Sequence, residues 1–260
     1  MIVSENSTFT EIRGGTNNPW APPIDYVQEV LLPNLSKIGF KGYVELIKRG
    51  FYPKGGGIVK AFVEPTRKLS PVVLKEFGEV KRIYGLSYSS RLPKHIVERM
   101  AQSANLTITT KGFREADIKL ECLSTNNRST AISSGCGIIL IAELSKGAIL
   151  GSDSLGELAK SAEKVGQEAA ETLCRQLNAG APVDKHLEDQ LIVYMTIANG
   201  RSEIKVEEVR HHILLVAYKS QRLLQVQILG YIKKKINFPA LYATVLVRKC
   251  FRQPKSNRLP

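Results

Sequence analysis

No stretch of the chain reaches the ~18 consecutive apolar residues that a membrane-spanning helix needs, although 43% of its residues are hydrophobic. The opening, MIVSENSTFTEIR, lacks the basic, apolar and small-residue sections of a secretory leader. An intracellular protein with no membrane association is expected. Cysteine is scarce: Cys122, Cys136, Cys174 and Cys250 stand far apart and form no CxxC pair. That argues against a zinc ribbon or a disulfide framework and leaves reduced, buried thiols with no disulfide-linked partner. No metal-binding residue is assigned. Acidic residues are missing after Glu208: residues 210–260 hold 11 Lys and Arg and no Asp or Glu, whereas residues 1–209 hold 26 and 24. The net charge of +13 therefore sits almost wholly in the tail. Such a tail binds phosphate backbones by releasing counterions, or it is a poorly ordered terminal segment.

What remains is the pattern of an ordinary globular chain. Its 260 residues suffice for one or two domains. Ile24, Val27, Leu31, Leu35 and Ile38 form a helical stripe behind the loop GGTNNPWAPP, ended by Gly39 and kinked by Pro33. YVELIKR and IVKAFVEP alternate as strands and are joined by PKGGG. A phosphate loop of the Walker type carries its lysine after the glycines and leads into a helix. Here Lys54 precedes them and a strand follows, so a hairpin turn is the first reading and a substrate-phosphate contact the second. Beyond Val80, KRIYGLSYSS, IKLECL and GCGIILIAEL read as strands. Pro93 opens a helix with Ile96, Val97, Met100 and Ala101 on one face, and a long helix spans LGELAKSAEKVGQEAAETLCRQL and stops near Gly180. KHLEDQLIVYMTIA is a further helix with Leu187, Leu191, Ile192 and Met195 inward. The class is α+β.

Four segments taken together, GGTNNPWAPPIDYV, RGFYPKGGG, GIILIAELSKGAILGSDSLG…KVGQEAAETL and VDKHLEDQLIVYMTIANGRSEIKV, resemble the RNA 3'-terminal phosphate cyclases. The resemblance implies repeated βαβαββ folding units, as in enolpyruvyl transferases, with a smaller inserted α/β domain. The expected boundaries are 1–78 for a partial, N-terminally truncated core, 79–178 for the insert, 179–220 for the rest of the core, and 221–260 for an atypical basic tail. It also implies ATP-dependent conversion of an RNA 3'-phosphate to a 2',3'-cyclic phosphate through a covalent histidine–AMP, with a divalent ion, Mg or Mn, and a nuclear location. The alternatives are a non-catalytic cyclase-like factor of ribosomal RNA processing and an inactive fragment.

The nucleophile must be neutral at physiological pH, and imidazole, with an ordinary pKa of about 6.5, meets that need. The resemblance, carried without a gap past ANGRS, puts His212 in that role, with His211 the alternative if the register slips by one. His95 reads as a surface residue. Pro22, His186, Asp189 and Gln190 match the family's nucleotide site, His186 standing where the family usually has tyrosine. Neighbours in a helix diverge by about 100°, so at most one of Asp189 and Gln190 points into the core. Arg49 and Lys54 are candidates for contact with RNA phosphate.

Overall fold

The computed structural model describes residues 5–66, 68–123 and 129–207, and the backbone of residues 227–231 and 243–248. His211, His212 and Cys250 lie outside the described residues. Among the described residues no helix is long and apolar enough to cross a membrane.

Among the described residues, three sheets and four helical segments make an α+β fold. In the first sheet β3 (Gly57–Val63) lies between β1 (Thr8–Gly14) and β2 (Gly42–Lys48), antiparallel to both. Alternation along β3 sends Val59, Ala61 and Val63 inward and leaves Ile58, Lys60 and Phe62 half-exposed. The hairpin expected between β2 and β3 is present, and its glycines have local causes. Gly55 and Gly56 have φ of 60° and 71°, a region closed to most side chains. Any Cβ on Gly57 would meet the Thr16 methyl group at 2.6 Å.

The first helical segment runs from Ile24 to Ser36: α1 (Ile24–Tyr26), a π turn over Val27–Leu31, and α2 (Leu32–Ser36). The wide turn ends two residues before Pro33, which has no N–H to give. Leu31, Leu35 and Ile38 are buried, as their spacing requires.

The remaining elements are a short strand β4 (Val73–Leu74), β5 (Val80–Ser90), α3 (Lys94–Thr110), β6 (Asp117–Leu123), β7 (Gly135–Leu144), β8 (Ile149–Leu155), α4 (Ala162–Ala179), α5 (Lys185–Ile197), β9 (Arg201–Val206), β10 (Gln227–Tyr231) and β11 (Ala243–Arg248). The order β6-β5-β7-β8 makes one sheet in which only β5 and β6 are parallel. β7 is covered on both faces. Ile138, Leu140, Ala142 and Leu144 meet α3 and α4, while Ile139 and Ile141 join the core of Tyr26, Leu35, Leu187 and Ile204. Burial on both faces is why IILIA is apolar without alternation. Gly166 allows α4 to approach α3, since a Cβ there would fall on the Met100 carbonyl oxygen.

Several expectations are corrected. The long helix starts at Ala162, after Ser161, whose side chain accepts from the Lys164 amide; the preceding LGELAK is not helical. Cys122 is exposed and only Cys174 is buried among the described thiols, all of them free. The basic tail is not wholly irregular: β10 and β11 extend the sheet of β9 and β4, giving the order β10-β11-β9-β4.

Candidate functional site

The loop before α1 and the turn before β3 are tied together. The amides of Thr16 and Asn17 donate to the Gly50 carbonyl at 2.9 and 3.2 Å, and the Gly50 amide donates to Thr16 Oγ1 at 2.9 Å. Gly50 itself is wedged between the backbones of Gly14 and Gly57. Arg49, one residue earlier, is consequently turned inward and is 2% exposed. Its guanidinium donates to both oxygens of Asp25 at 2.7 and 2.8 Å and to Glu121 at 2.7 Å. It also lies 4.0 Å above the centroid of Tyr88, whose hydroxyl accepts from Asn17 Nδ2 at 2.9 Å. Burial opposes the charge on Arg49, but the Asp25 hydrogen bonds and the surrounding anions more than offset it and raise the pKa. Arg49 is thus spent inside the protein. The expectation of an RNA-phosphate contact passes to Lys54, which is exposed on the turn, its amide donating to Ser133 Oγ at 3.3 Å.

The N-terminus of α5 is organised by Asp184, a residue that sequence reasoning missed. Its carboxylate caps the helix, accepting from the His186 and Leu187 amides at 2.9 and 3.0 Å. It also accepts from the Tyr26 hydroxyl at 2.7 and 2.8 Å and from the Gly151 amide at 2.9 Å. One buried carboxylate thereby joins α1, β8 and α5. Burial lifts its pKa above the ordinary carboxylate value, and the Tyr26 hydroxyl and three amides pull back against that rise. An aspartate before an apolar helix is itself a capping signal; the other two partners leave no local trace.

His186 follows directly. Its ring meets Tyr26 edge-on at 5.6 Å, and its Nε2 lies 3.9 Å from Asp153 Oδ1. A cavity of about 290 Å³ opens here, lined by Pro19, Trp20, Ala21, Asp153, Lys160 and His186. Pro22 is half-buried beside this group; Pro19 to Ala21 supply the wall. Asp189 and Gln190, at i+3 and i+4 from His186, share its side of the helix, and both are half-buried, so neither enters the core. His95 is exposed on α3.

Asp153 is the second acid that the sequence concealed. Burial, then the negative charges of Asp184 and Asp25, push it up to about 6 against the pull of Lys185. An acid whose folded pKa exceeds the unfolded value of about 3.9 holds more protons when folded, so stability falls as pH climbs from about 4 through about 6. Asp153→Asn is expected to remove a loss of about 2 kcal/mol from that window. Urea melts at pH about 4 and about 7 check this: the two proteins should converge at the lower pH, and parallel curves would overturn the assignment.

The family model of the RNA 3'-terminal phosphate cyclases matches residues 1–229. The chain belongs to that family. It is 44% identical over 212 residues to the RNA 3'-terminal phosphate cyclase of Caldivirga maquilingensis, covering 82% of this chain and 59% of that protein. It is 37% identical over 227 residues to that of Methanopyrus kandleri, covering 87% and 64%, and 41% identical over 215 residues to that of Staphylothermus marinus, covering 82% and 60%. The chain thus spans about three-fifths of the length of these cyclase relatives. They are archaeal, and cells without a nucleus give the nuclear expectation no support.

Proposed function

We propose that this chain carries part of the nucleotide and RNA site of an ATP-dependent RNA 3'-terminal phosphate cyclase. The observation that supports the reading best is the start of α5, where His186 lines a cavity beside Pro19–Ala21 and Asp189 and Gln190 follow one turn on. ATP fits this chemistry. The Gln190 side-chain oxygen is buried with no hydrogen-bond partner among the described residues, and an acceptor in that condition is matched by the amino group of adenine. Lys185, at the cavity wall, suits a polyanionic ligand. No group of three or more His, Cys, Asp or Glu among the described residues forms a metal cage. The divalent ion is therefore assigned to none of them, and no step is routed through it.

In this reading the His212 imidazole attacks the α-phosphorus of ATP and pyrophosphate leaves. The RNA 3'-phosphate then takes the adenylyl group from the histidine. Finally the neighbouring 2'-hydroxyl closes on the activated phosphate and releases AMP. Sheet β6-β5-β7-β8 with α3 and α4, drawn from one continuous stretch with its own apolar core, supports treating residues 79–178 as the inserted unit. Residues 1–78 and 179–220 then belong to the core of repeated units, and 221–260 to an appended segment.

Incubation with α-labelled ATP tests the proposal. An acid-labile, base-stable labelled protein is expected, lost in His212→Ala and retained in His95→Ala. Loss in His211→Ala with retention in His212→Ala would move the register by one. A chain that takes no label in any form is the inactive fragment or the non-catalytic factor.

A further inference from the structure

A second cavity, about 500 Å³, lies between the turn before β3 and the N-terminal ends of α3 and α4. Its apolar walls include Phe51, Tyr52, Leu92, Ile96, Leu155 and Leu158. It adjoins the His186 cavity, because Pro19, Leu155, Glu157 and Lys160 line both. Around the joint opening the protein exposes what it would ordinarily cover. Trp20 is 87% exposed, Tyr52 69%, and Leu158 is wholly exposed. Single exposed apolar residues are common, but several around one opening mark a binding surface.

The wall behind Tyr52 is rigid. Phe51 is buried and stacked on Tyr88 with centroids 6.3 Å apart, and Tyr88 is held from its other contacts by Arg49 and Asn17. Lys160 is equally fixed, its ammonium donating to Ser154 Oγ at 3.0 Å and the Leu155 carbonyl at 3.1 Å and paired with Glu168 at 2.5 Å. Lys160 thereby braces the wall with its three N–H donors engaged, and the exposed lysine of the turn is Lys54. An aromatic shelf beside an exposed lysine is the arrangement that holds single-stranded nucleic acid: the π face takes any base and the cation takes a phosphate. The cavity has room for a nucleoside. Its junction with the His186 cavity places a bound RNA end beside bound nucleotide, which transfer of an adenylyl group requires.

Building on the cyclase reading, we infer that this cavity is the stacking site for bases near the 3' end of the RNA, with Tyr52 as the shelf, Leu158 as its rim and Trp20 at the boundary with the nucleotide. The test uses the 260-residue chain and a short 5'-labelled oligoadenylate ending in a 3'-phosphate, read by anisotropy against an abasic strand with the same phosphates. The oligoadenylate should bind more tightly than the abasic strand. Tyr52→Ala should weaken it by about ten-fold, Leu158→Ser should weaken it less, and Tyr52→Phe should retain it. The abasic strand should respond to none of the three. Trp20 is the chain's one tryptophan, so its emission should change when the oligonucleotide is added.

Equal affinity for the two strands, no binding of either, or an unchanged oligoadenylate affinity in both Tyr52→Ala and Leu158→Ser overturns the inference. So does a Trp20 response to ATP with none to RNA, which would give the shelf to the nucleotide. Labelling of the unsubstituted chain by α-labelled ATP without RNA reports the cyclase reading separately. Labelling without base-dependent binding removes the shelf alone, and absence of labelling removes the reading beneath it. A peptide partner in place of RNA would appear as an abasic strand and an oligoadenylate that behave alike.

Discussion

Arg49→Met is expected to cost about 3–5 kcal/mol of folding stability, the scale for breaking a buried ion pair by removing one partner. Asp25, buried in α1, would lose both of its guanidinium hydrogen bonds. Tyr88 would lose the cation over its ring. Glu121 is part-exposed and can turn to water, so its share of the loss is smaller. Urea denaturation measures the effect. Arg49→Met combined with Asp25→Leu should recover most of it, since well-packed apolar residues often replace a buried pair at no loss. If the single substitution costs under about 1 kcal/mol, the range of an exposed pair, Arg49 is reached by water and its candidacy for RNA phosphate returns.

Asp184→Ala should rank beside it. Loss of the cap alone costs about 1 kcal/mol. The Tyr26 hydroxyl and the Gly151 amide would then be buried without a partner, at about 1–3 kcal/mol each. These donors share one carboxylate and their losses do not simply add; a combined cost of about 4 kcal/mol is expected, read as a fall in melting temperature. Tyr26→Phe removes one donor and leaves the cap, so about 1 kcal/mol is expected there. An Asp184→Ala protein no less stable than Tyr26→Phe would show that the carboxylate is a helix cap and nothing more. Because the His186 amide is one of the donors, the same substitution should also loosen the turn that presents His186 to the cavity.

The two acids and the arginine show where local reading stops. VDKHL announces a capped helix, and Asp184 does cap it, but Tyr26 lies 158 residues away and Gly151 lies 33 away. GSDSL in β8 has the composition of a loop. It is a strand because its backbone pairs antiparallel with β7, and its buried serines are satisfied because Ser152 donates to the Ala169 carbonyl on α4 and Ser154 to Glu168, contacts that exist only after the helix has docked. Arg49 stands next to a glycine-rich turn, where a basic residue ordinarily reaches solvent. Its partners, Asp25 and Glu121, are 24 and 72 residues distant.

By itself, the sequence determined the period of each major helix, the hairpin at the glycine run, the strand β7, the charge break after Glu208 and the membership of a family. These follow from neighbours within a few residues, where spacing and backbone sterics act directly. Only the tertiary structure decided that Arg49 is buried, that Asp153 and Asp184 meet beside His186, and that Tyr52, Leu158 and Trp20 surround joined cavities. Burial and pairing of charge depend on which surfaces the chain brings together across long separations, and one-dimensional spacing does not encode that choice.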